Sequence, residues 1–198
     1  MKTQASIIAG VDLAATPLNP TGWAILKGRV VSVCHLFSDK EIVSKIIECK
    51  PTLIAVDAPL SLPKNKKFTR KADREMQKRG YPVFPPRFRT MEKLTVRAIK
   101  LTQRVRSEGF GVIEVHPAST RKALRMPIKE WSKIQEILVS MGFDGDAKAR
   151  ILTLHEIDAV TAALTGYLHL KQKTELLGDR IEGYIVVPTE SDWRLLKP

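Results

Sequence analysis

The chain has 198 residues, enough for one domain with a full hydrophobic core, with room for an insertion. Its 33 Lys/Arg outnumber 21 Asp/Glu, for a net charge of +12. No apolar run is long enough to span a bilayer, no apolar stretch before a cleavage site marks a signal peptide, and the two cysteines, Cys34 and Cys49, have no zinc-ligand spacing. The expectation is a cytoplasmic protein with reduced thiols and no membrane partner.

The first predicted element is a strand in "IIAGVDLAATPLNP": Ile7, Ile8 and Val11 are strand formers, and Pro17 and Pro20 end the extended run. "TGWAILKGRVVSVCHL" reads as a hairpin about Lys27-Gly28. Ser38 is placed to cap a helix over "DKEIVSKIIECK" with Ile42, Ile46 and Ile47 on one face, stopped by Pro51. "TLIAVDAPLSLP" gives a short apolar strand of the kind covered on both faces.

A basic block follows. Between Lys64 and Arg106 there are 15 Lys/Arg and three acids, so the whole excess of +12 lies here and the rest of the chain balances. "FTRKADREMQKRG" and "TMEKLTVRAIKLTQRVRSEG" read as helices joined by the proline-stiffened "YPVFPPRF", a helical insertion over about 64–106. A solvated helical surface would also be charged, but one-sidedness of this degree is the footprint of a phosphate-rich partner. Lys67, Arg70, Arg74, Lys78, Arg79, Arg87 and Arg89 are the candidate phosphate contacts, with Tyr81, Phe84 and Phe88 as aromatic residues for stacking on unpaired bases or for packing the loop.

"FGVIEVHPAST" is a further strand, followed by helices over about 120–124 and 128–141 and a long helix starting at "TLHEIDAVTAAL". Thr153 and Glu156 form a capping-box pattern, which gives Glu156 a structural role and puts His155 and Asp158 one turn apart on one face. "GYIVVP" is a closing strand. The alternation makes this an α/β chain with a mixed sheet.

Three strands end in an acid: Asp12, Asp57 and Glu114. Each alone has a structural reading, Asp12 and Asp57 as turn residues and Glu114 as a strand-end residue. Together, at strand ends where α/β sheets bind ligands, they point to a site, with Asp158 as a fourth acid and His155 as a ligand or proton shuttle. Gathered carboxylates repel one another unless a cation neutralises them, and hard oxygen donors suit Mg²⁺ or Mn²⁺.

These features resemble the ribonuclease H-like superfamily. Within it, "GVDLA", "VDAPLSLP", "R-x-A-D-R-E", "IEVHPAST" and "EIDAVTAAL…GYIVVP" resemble the domain-of-unknown-function 429 family across nearly the whole chain. The resemblance implies a single ribonuclease H-like domain with a five-stranded mixed sheet whose first three strands are antiparallel, and a two-metal acidic site of Asp12, Asp57, Glu114 and Asp158. His155-x-x-Asp158 resembles the Holliday-junction resolvase branch, whose second acid is usually Glu where this chain has Asp57. The expected function is a nuclease hydrolysing phosphodiester bonds of DNA or RNA with two Mg²⁺ or Mn²⁺ ions, Asp12 bridging them, Asp57 and Asp158 holding one each and Glu114 ligating or orienting water. Two other classes compete. A phosphotransferase or ATPase of the same superfold would need glycine-rich phosphate loops absent from the sequence; a silent nucleic-acid-binding protein would need only the basic block.

Overall fold

The computed structural model describes residues 6–65 and 67–196; Lys66 of the basic block lies outside them. The chain begins with an antiparallel meander of β1 (Ile7–Asp12), β2 (Thr21–Lys27) and β3 (Val30–Leu36), turning at Gly28 with φ +60°. Helix α1 (Asp39–Cys49) starts at a Ser38–Glu41 capping box and leads to β4 (Leu53–Asp57), parallel to β1. Its buried face uses Ile42, Val43 and Ile46, while Ile47, expected to share it, is exposed.

The basic block supplies α2 (Lys71–Lys78) and α3 (Arg89–Ser107) before β5 (Val112–Val115) pairs parallel to β4. Then come α4 (Pro117–Ala123), α5 (Trp131–Ser140), the two-residue β6 (Asp144–Gly145), the short α6 (Asp146–Ala149) and the long α7 (Leu154–Leu170). A hairpin of β7 (Thr174–Asp179) and β8 (Gly183–Pro188) closes the sheet, β8 lying parallel on β5.

The sheet order is β6-β3-β2-β1-β4-β5-β8-β7. Its middle five strands have the directions expected, but the sheet has eight strands and not five. Of the three added strands, β8 is the closing strand read in "GYIVVP", and the other two carry weak sequence signals. β6 is too short to show a period, and β7 is an edge strand that exposes Leu176 and includes polar residues on both sides. No helix among the described residues is long and apolar enough to cross a membrane, and Cys34 and Cys49 are unpaired.

Period-two alternation divides the sheet into two buried faces. Ala9, Val11, Trp23, Ile54 and Val56 pack against α1 and α3. Ile8, Ala24 and Leu26 pack with α5 and α7 on the other side. There α7 lies with its backbone almost on the strands: a Cβ on Gly10 would stand 2.0 Å from the Ala159 carbonyl oxygen and 2.6 Å from the Ala163 nitrogen. Such a contact admits only hydrogen.

Gly10→Ala should therefore lower the unfolding free energy by at least about 2 kcal/mol, the scale of overpacking a core, read as a lower urea midpoint at unchanged slope. Gly111→Ala is the control: its Cβ meets nothing nearer than 3.6 Å and the midpoint should hold. Equal midpoints for Gly10→Ala and the parent would refute the close seating of α7.

Candidate active site at the strand ends

Asp12 and Asp57 are the last residues of β1 and β4 and are paired in register, so their side chains rise from neighbouring strands on the same face. That is the face α7 covers. The Thr153 hydroxyl accepts from the Glu156 N–H at 3.3 Å, and Glu156 returns a bond to the Thr153 N–H at 2.9 Å while Arg150 grips its carboxylate. Glu156 is thus a helix-start residue, as the capping pattern indicated. The start of α7 is pressed onto β2 at Gly22, where a Cβ would stand 2.1 Å from the His155 carbonyl oxygen.

This seating brings His155 Nδ1 to 2.6 Å from Asp12 Oδ2 and delivers Asp158 to the same cluster. The bond to Asp12 raises the His155 pKa against the opposing effect of burial. Enclosure by protein pushes the Asp57 carboxyl well above its usual range, and the charges of Asp12 and Asp158 push it further. Asp158 is also raised by burial, with Arg121 opposing.

Arg121, on α4, was not singled out in the sequence. Its guanidinium is ion-paired to Asp158, lies 3.5 Å from the Thr161 hydroxyl and stacks 5.2 Å from the Trp131 ring centroid, with only 3% of the side chain exposed. The one available signal was its place on a short helix directly after an acid-ended strand.

Glu114 departs from expectation. Its register partner is Val56, not Asp57, so the pleat sends it to the opposite face of the sheet. There it meets Arg70: Nη2 donates to Glu114 Oε1 at 2.6 Å and Nη1 to Oε2 at 2.7 Å, while Asp73 takes Nε and Nη2. Arg70 and Asp73 are each 1% exposed. Glu114 also accepts from the Leu60 N–H at 2.8 Å, fixing the chain just beyond Asp57. Glu114 is thus held by a buried cation, yet it lines the same cavity as Asp12 and Asp57 and its charge adds to the upward pressure on Asp57.

Arg70 is correspondingly removed from the phosphate contacts; it is a core residue. Arg87 is half-buried, its Nε without a partner among the described residues, and Arg79 is exposed but ion-paired to Glu175. Lys67, Arg74, Lys78 and Arg89 are exposed. Tyr81, 3% exposed beneath Lys122, packs the loop instead of offering a face to bases. Phe84 and Phe88 are 66% and 50% exposed and stacked on each other with centroids 6.5 Å apart. Phe84, Val83, Met91 and Leu94 wall a cavity of about 190 Å³ that also reaches Asp12, Asp57 and His116 and the Arg70–Asp73–Glu114 network.

Among the described residues no group of three His, Cys, Asp or Glu side chains is arranged to hold an ion alone. The adjacent Asp12 and Asp57 nonetheless fit a hard divalent cation, because Mg²⁺ is commonly held by one or two carboxylates and completed by water and phosphate oxygens.

Two electrostatic features of this region are open to measurement. Arg70→Ala would leave the Asp73 and Glu114 carboxylates buried without their cation and should cost about 3–5 kcal/mol in urea unfolding, whereas exposed Arg74→Ala should change it by less than about 0.5 kcal/mol. His116, which caps α4 through the Ser119 N–H, has its pKa lowered to about 4 by burial and by Arg121. The unfolded chain then binds this proton first, so His116 costs no stability above pH 6.5 and a growing amount as pH falls from there to about 4. His116→Asn keeps a capping side chain and should flatten that decline; an unchanged decline would refute the assignment.

No curated protein matches the chain in sequence. Among solved structures, the RuvC of Thermus thermophilus in complex with a Holliday junction substrate aligns at 15% identity and a TM-score of 0.49, over 84% of this chain and 96% of that one. A structure of Thermus thermophilus RuvC aligns at 15% identity and a TM-score of 0.46, over 90% and 99%. The family model described as "Protein of unknown function (DUF429)" matches residues 10–181, a span that holds Asp12, Asp57, Arg121 and Asp158. The chain belongs to the DUF429 family.

Proposed function

We propose that this protein is a divalent-cation-dependent nuclease that hydrolyses phosphodiester bonds at the Asp12–Asp57 edge. The observation that carries the reading is the pairing of these two strand-end carboxylates, with Asp158 beside them, in a chain that also exposes Lys67, Arg74, Lys78 and Arg89. Buried neighbouring acids are held at a cost in stability, and a ligand cation relieves it. A bound Mg²⁺ or Mn²⁺ would polarise the phosphate and lower the pKa of the attacking water.

The residues of the chain have separable tasks. Asp12 and Asp57 hold the cation. His155 fixes Asp12 Oδ2 through Nδ1 and is 41% exposed, so its ring can exchange a proton with solvent. Lys67, Arg74, Lys78 and Arg89 grip backbone phosphates without reading bases, which suits either DNA or RNA. Glu114 supports the site from the opposite face by tying Leu60, and hence the end of β4, to Arg70.

The test compares the parent and Asp12→Asn on single-stranded, duplex and branched DNA and RNA with Mg²⁺, Mn²⁺ or Ca²⁺. The parent should cleave at least one substrate with Mg²⁺ or Mn²⁺, and Asp12→Asn should lose more than about 100-fold in rate. Both should bind nucleic acid with affinity that falls steeply with salt, since counterion release comes from the basic flank. Absence of cleavage by the parent on every substrate, or equal cleavage by both proteins, would overturn the reading.

A further inference from the structure

Two of the buried arginines near the strand ends, Arg70 and Arg121, are used differently. Arg70 is saturated, with Asp73, Glu114 and Ser61 taking its nitrogens. Arg121 stands inside the acid cluster, meets one carboxylate, and keeps a buried Nε with no partner among the described residues. A guanidinium stays protonated at any working pH, so this is a permanent positive charge among three acids.

We propose that Arg121 is the resident second cation of the site, and that the protein therefore takes one divalent ion, at Asp12 and Asp57, in place of the two expected. Asp158 positions Arg121 and is not itself an ion ligand. The inference rests on the reading of Asp12 and Asp57 as a cation site and does not depend on which bond is cleaved.

Charge balance supports it. With Glu114, whose charge also acts on Asp57, paired to Arg70, the acids left are Asp12, Asp57 and Asp158, three negative charges when ionised, of which Arg121 removes one. The remaining two match one divalent ion. A second divalent ion on Asp158 would share that carboxylate with a buried guanidinium, in surroundings where like charges are poorly screened.

Geometry supports it as well. Arg121 cannot swing aside cheaply. It is stacked on Trp131, and its helix is fixed at the start by the His116 cap and to α7 by a 2.7 Å bond between the Thr120 and Thr165 hydroxyls. Both members of the ion pair thus sit on elements locked to each other. Arg121 opposes the upward pressure on Asp57 and Asp158. Moving it out would return two enclosed carboxylates to mutual repulsion.

The experiment counts ions on the full-length protein without nucleic acid, titrating Mn²⁺ and following the free-ion paramagnetic resonance signal alongside calorimetry. The parent should bind one Mn²⁺ per chain. Asp57→Asn should abolish that binding, whereas Asp158→Asn, whose amide still accepts from Arg121, should keep one ion with less than about a tenfold change in affinity. Arg121→Gln should bind a second Mn²⁺ or hold the first at least about tenfold tighter, and Arg121→Lys should restore the parent's count. Urea transitions establish that each variant is folded; if Arg121→Gln is not, Asp158→Asn and the parent's own count decide.

Two ions in the parent, no ion in the parent, an unchanged count and affinity in folded Arg121→Gln, or loss of binding in Asp158→Asn as severe as in Asp57→Asn would each overturn the proposal. One bound ion without cleavage of any substrate would overturn the nuclease reading and leave this one standing. Cleavage with two bound ions would do the reverse.

Discussion

The structure depends on the closeness of α7 to the first two strands. Gly10 and Gly22 present bare backbone at the two points where the helix touches, and the helix answers with Ala159, Ala162 and Ala163. With no side chains between them at these points, helix and sheet are held at a fixed separation, so the first turn of α7 has one place to be. His155 and Asp158 inherit that place. A site built on the ends of rigid elements needs this kind of exact seating, because a loosely packed helix would spread its acids over several positions.

Electrostatics then divides the strand ends between the two faces. On the α7 face the acids are close, partly enclosed and incompletely neutralised, which is the condition of a site that awaits a ligand. On the other face Arg70, Asp73 and Glu114 form a satisfied network that joins α2, β4 and β5. The distinction matters because a buried ion pair is poor evidence for function when its donors are all spent, and a crowded acid pair is better evidence. The pleat makes the division: Val56 and Asp57, one residue apart, pair with Glu114 and Val115, and this alternation alone decides which acid joins which cluster.

Much of this was legible in the sequence. The acid-ended strands, the hairpin at Gly28 and the helix start at Thr153 follow from local rules of period, turn and cap, and local rules need no knowledge of partners. The phase of "VIEV" relative to "LIAVD" was not legible, since neighbouring apolar residues flank Glu114 on both sides and a strand covered on both faces shows no alternation. Arg70 was hidden within a charge-rich run whose usual fate is solvent, although Asp73 three residues on was the trace of its pairing. Arg121 needed the tertiary contact between α4 and α7, which no local pattern reports. The outer strands were missed for the same reason: β7 becomes a strand because β8 is beside it.

The mounting of α2 also orders the assembly of the molecule in time. This helix is attached chiefly to residues more than a hundred positions downstream: the Glu182 carboxylate accepts from the Lys64 and Lys71 N–H groups at 2.8 Å, and Glu75 accepts from the Gly178 N–H at 2.8 Å. Closing a loop of that length costs entropy before any contact offsets it. As the chain leaves the ribosome, the meander and β4 can pair early, whereas the cationic helix, beyond its Arg70 link to Glu114, lacks its remaining anchors until the final hairpin has emerged. The surface with the strongest attraction for polyanions is thereby set in place after the sheet that carries the acids, and a nascent chain, though already basic, lacks the ordered array of charges that the finished protein presents.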